Sequence, residues 1–118
     1  MQDFIEGFPF TTPRLAFAPP FADYVEDVVL AADVVQHVAI PSSARFVLLN
    51  FDGDVRAKVG VPGTVLASPS VSTTNGAGSE LNPTARRIPA TLADGSTVPS
   101  HIVLRASLAC KGSLAFYK

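Results

Sequence analysis

Residues 45–59, RFVLLNFDGDVRAKV, decide the fold class. The first seven, 45–51, are densely apolar over a length that suits a strand with little solvent on either face. Val55, Ala57 and Val59 then alternate with Arg56 and Lys58, the two-residue period of a half-buried strand. Asp52–Gly53 between them reads as a short turn in which glycine supplies φ > 0, so the stretch is expected to fold as an antiparallel hairpin with Phe46, Leu48, Val55 and Val59 inward.

Working outward, the same grammar repeats. Residues 101–107, HIVLRAS, and 113–118, SLAFYK, flank Cys110-Lys111-Gly112 and are expected to form a closing hairpin that adds Ile102, Leu104, Leu114 and Phe116 to the core. Upstream, residues 28–40 are rich in β-branched valine and isoleucine and end at Pro41, which favours strand, with a helical turn open over 24–30. Residues 60–84 are loop with one or two short strands, punctuated at Pro62–Gly63, Asn75–Gly76 and Asn82–Pro83. Asn82 is expected to be extended before proline and to anchor an ordered turn, with Glu80 pairing to Arg86 or Arg87. Residues 86–89, RRIP, suit an edge strand, and Asp94–Gly95 marks a further turn. Six to eight short strands without a helix signal imply an all-β antiparallel sandwich, jelly-roll-like.

At 118 residues the chain has room for one core and no separate cofactor-binding unit. It is 47% hydrophobic and 16% charged, with a net charge of −1, which disfavours disorder and gives no basic excess for tracking nucleic acid. A single cysteine allows no intramolecular disulfide, and Asp3 and Glu6 stand where a signal peptide would carry positive charge, so synthesis in a reducing cytoplasm is expected. The apolar run over 25–40 is broken by Glu26, Asp27, Asp33, Gln36 and His37, short of the ~20 uninterrupted residues of a membrane span.

Charge is divided along the chain. Residues 1–33 hold six acids against Arg14, and residues 45–118 hold eight bases against four acids. The acidic part either folds against its own basic part or meets a neighbour. Residues 1–23 are expected to be an extended arm and 24–118 the sandwich, because Pro9, Pro13, Pro19 and Pro20 disfavour helix and central strand. The arm's rings, Phe4, Phe8, Phe10, Phe17 and Phe21, need an apolar surface on the same sandwich or an adjacent subunit. With Arg86 and Arg87 they are the candidate protein-interface residues.

Chemistry of other kinds finds little support. His37 and His101 lack close ligand partners, Cys110 lacks a specified base, and the FDGD sequence lacks the further ligands of a calcium loop. Gly76 and Gly78 precede no Lys-Ser/Thr and read as turn glycines. No catalytic residue, metal ligand or cofactor is expected.

The Pro-Ser turn and Ala-Arg-Phe-Val strand of residues 40–47, the DGD-Val-Arg-Ala-Lys segment, Gly-Ser-Glu-Leu-Asn-Pro at 78–83 followed by Arg86, Arg87 and Ile88-Pro89, and the terminal Leu-Ala-Phe-Tyr strand together resemble small structural proteins of tailed bacteriophage particles. The resemblance runs from about residue 28 to the end. It implies a non-enzymatic virion protein on the capsid surface, a decoration or cement protein binding the major capsid protein or other virion proteins, as a homo-oligomer and without nucleic acid or membrane. The alternatives are a tail or portal accessory, or a carbohydrate- or receptor-binding module.

Overall fold

The computed structural model describes residues 1–2 and 19–118. Its elements are all strands: β1 (Tyr24–Leu30), β2 (Gln36–Ala39), β3 (Phe46–Phe51), β4 (Arg56–Gly60), β5 (Glu80–Leu81), β6 (Ala85–Arg87), β7 (His101–Arg105) and β8 (Cys110–Tyr117). They form two antiparallel sheets, ordered β1-β8-β3-β6 and β2-β7-β4-β5. The chain is therefore nested: β1 pairs with β8, β2 with β7, β3 with β6 and β4 with β5. Pairings β3–β8 and β4–β7 complete the sheets. This is the jelly-roll form of the antiparallel sandwich, and in each sheet strands from the first half of the chain alternate with strands from the second.

The two hairpins read from the sequence do not form. β3 and β4 are both strands, but they lie in opposite sheets, as do β7 and β8. Gly53 does not take a positive φ, and residues 52–55 carry the chain across the end of the sandwich. An apolar strand and an alternating strand can bury their side chains edge to edge or face to face, and local sequence does not distinguish the two. The place beside β3 goes to β8, which sets Val47 opposite Phe116 and Leu49 opposite Leu114.

That register also settles which side of β3 faces in. Val47 and Leu49 are buried in the core, whereas Phe46 and Leu48, expected inward, lie half-buried on the outer face opposite Tyr117 and Ala115. RFVLLNF is apolar on both faces, so its alternation could not fix the parity. Val55, Ile102, Leu104, Leu114 and Phe116 are buried as expected, and Val59 packs against the same cluster half-buried. Upstream, residues 24–30 are strand throughout. The valine-rich run is split by Asp33 (φ 59°), whose N–H donates to the Ala106 carbonyl at 2.7 Å.

Both outer faces are partly covered. Tyr117 is only 4% exposed although it lies outside the central cluster, and its hydroxyl donates to the Pro20 carbonyl at 2.8 Å. On the other sheet Val103 points outward and is fully buried, because the loop after β4 folds back over it. There Leu66 is buried and its carbonyl accepts from Arg105 Nη1 at 3.0 Å, while the Thr64 carbonyl lies 2.9 Å from His37 Nε2.

Candidate interaction surfaces

β5 and β6 follow each other in sequence but close opposite sheets, so between them the sandwich has an open side. Glu80 on β5 and Arg86 on β6 span it. Arg86 Nε donates to both carboxylate oxygens at 3.1 Å, and Nη2 donates to Oε1 at 2.9 Å. These bonds hold the Glu80 carboxyl below the usual carboxylate range, although both side chains are exposed enough that the pair adds little stability. The cleft at this pair has a volume of about 340 Å³ and reaches the core residues Val47, Leu49 and Ile102, with Ile88, Pro89 and Arg87 also along it. Arg87 sits opposite Phe46 on the outer face and has no carboxylate partner among the described residues.

The far edge of the same sheet is β1, and its chemistry is opposite in sign. Among the described residues neither Glu26 nor Asp27 has a cationic partner. Asp23 accepts from the Gln2 N–H and lies 3.6 Å from the N-terminal ammonium, and Asp33 is 3.7 Å from Arg105. Part of the acidic segment is thus neutralised within its own chain, while the β1 edge is left acidic. Just before β1, Phe21 is 99% exposed. It follows Pro19–Pro20, whose fixed φ stiffens the approach, and Pro20 is tied to Tyr117.

The remaining candidates are structural. Asp54 accepts from Asn82 Nδ2, and Asn82 Oδ1 accepts from the Val55 N–H, both at 2.9 Å. The ordered turn at Asn82 is as expected, but its backbone is left-handed (φ 52°) rather than extended. Asparagine tolerates that conformation, and the bonds to residues 54 and 55 over-determine it. Cys110 is buried beside this end, its thiol pushed up by burial first and then by Asp52 and Asp54. His37 and His101 share the outer face of their sheet, with ring centroids 6.4 Å apart. Among the described residues no group of three His, Cys, Asp or Glu could hold a metal ion, and no helix is long and apolar enough to cross a membrane.

Of the candidate interface residues, Phe4, Phe8, Phe10 and Phe17 lie outside the described residues, as does most of the arm. Phe21, Arg86 and Arg87 are all on the surface, with Phe21 by the β1 edge and the arginines on β6. The cleft was not legible beforehand, because it exists only when Val47 and Ile102 meet across two sheets. Comparison with protein-family models, with curated proteins and with solved structures finds no match.

Proposed function

We propose that this chain is a non-enzymatic structural subunit of a virus particle, a decoration or cement protein that binds the major capsid protein lattice and stabilises the head. The observation that carries the reading is a nested eight-strand sandwich whose described interior holds no polar or charged side chain. Such jelly rolls serve as viral capsid domains, lectins and cupins, and the chemistry of the particular molecule must choose among them. Here the chemistry lies on the surface and suits protein contacts: a solvated aromatic ring and two edges of opposite charge. The resemblance of residues 28–118 to structural proteins of tailed phages supports the same reading.

Electron cryo-microscopy of purified particles tests it. Sandwich-shaped density repeated over the capsid, and heads that rupture at a lower temperature when the chain is left out, are the expected results. Density confined to the tail or portal would assign the accessory role instead. Absence of the chain from purified particles would sink the virion reading.

A further inference from the structure

We propose that the chain associates with itself head to tail, the Phe21 ring of one copy entering the β5–β6 cleft of the next. A single exposed apolar side chain is ordinary and would carry nothing alone. Phe21 is different because it stands 99% exposed on a proline-stiffened, tethered run, so little freedom is lost when it docks. The cleft has room for one phenyl ring over an apolar floor formed by Val47, Leu49 and Ile102.

Charge selects which edges meet. Ring and cleft lie at opposite edges of one sheet, with Glu26 and Asp27 on β1 and, on β6, Arg87, which no described carboxylate pairs, beside Arg86, whose charge Glu80 meets. Two β1 edges side by side would set carboxylates against carboxylates, and two β6 edges would set arginines against arginines, both unfavourable. A β1 edge beside a β6 edge is complementary. Strand direction agrees: β1, β8, β3 and β6 alternate in sense, so a second copy continuing the sheet brings its β1 antiparallel to β6. Such a contact is heterologous and yields a closed ring or an open chain of copies. It is a property of the free chain and does not rest on attachment to a particle.

Sedimentation velocity of the full chain over a concentration series tests the proposal. Wild type is expected to grow beyond a dimer and to dissociate as salt is raised. F21A removes a ring that packs on none of the described residues, so its melting temperature should not change, while association weakens roughly 30-fold or more, as for a central interface residue. R87E, at the cleft, should weaken association with the fold equally intact. An equimolar mixture of F21A and R87E should form dimers that neither forms alone, because the ring of R87E finds the intact cleft of F21A. A wild type that stays monomeric to about 1 mM, association unmoved by F21A and R87E, or a mixture that stays monomeric would each overturn the proposal, whatever the particle experiments show.

Discussion

Asn82 shows how one side chain fixes the crossing between sheets. Its Oδ1 satisfies the N–H of buried Val55, its own N–H donates to the Val55 carbonyl at 2.8 Å, and its amide nitrogen reaches Asp54. Asn82→Ala would leave the Val55 N–H unsatisfied and put a Cβ-bearing residue without local bonding into the left-handed region. The expected cost is about 2–4 kcal/mol in urea unfolding. Asn82→Gly should recover about 1 kcal/mol of that, because glycine accepts the φ but not the hydrogen bonds. Cys110 gives a second test. With its pKa raised in the fold, the native state holds the thiol proton more tightly than the unfolded chain does. The associated stability is complete below about pH 8.5 and is lost as pH rises from there through the folded value. Native Cys110 should react with thiol reagents at neutral pH far more slowly than in denaturant, and the urea midpoint should fall above that range.

At the scale of strands, identity was legible and pairing was not. Apolar and alternating runs bounded by Gly and Pro located β3, β4, β7 and β8, the valine-rich stretch 28–40 covered β2 and only the end of β1, and of the two arginines open to Glu80 it is Arg86 that pairs. Partner choice escaped because a turn sequence such as Asp52–Gly53 reports only that the chain reverses, not whether it returns to the same sheet. The cleft and the opposed edges depend on those partners, and so were hidden with them. The parity of β3 is open to direct test: Leu49→Ala should cost about 2–5 kcal/mol as a buried truncation, and half-buried Leu48→Ala about 1 kcal/mol. Equal costs in chemical denaturation would contradict the register. Gly112→Ala probes the β3–β8 contact from the other side, since a Cβ there runs into the Asn50 carbonyl oxygen and the Phe51 backbone. The strands would have to separate, and the variant should not give a cooperative melt.

Across the molecule the nested order makes every strand pairing non-local in sequence. Folding is therefore expected in the slow range of all-β domains, milliseconds to seconds in stopped-flow refolding. The same order has a further meaning for a cut chain. The exposed loop around Asn75–Gly76 separates β1–β4 from β5–β8, and the two groups interleave in both sheets. Neither fragment alone contains a neighbouring pair of strands, so each by itself should be unfolded and prone to aggregate. Mixed, they have only each other to pair with. A protease nick at that loop should leave one particle that elutes and melts as a unit, and the two pieces, made separately and fused to the halves of a split reporter, should reconstitute it on encounter.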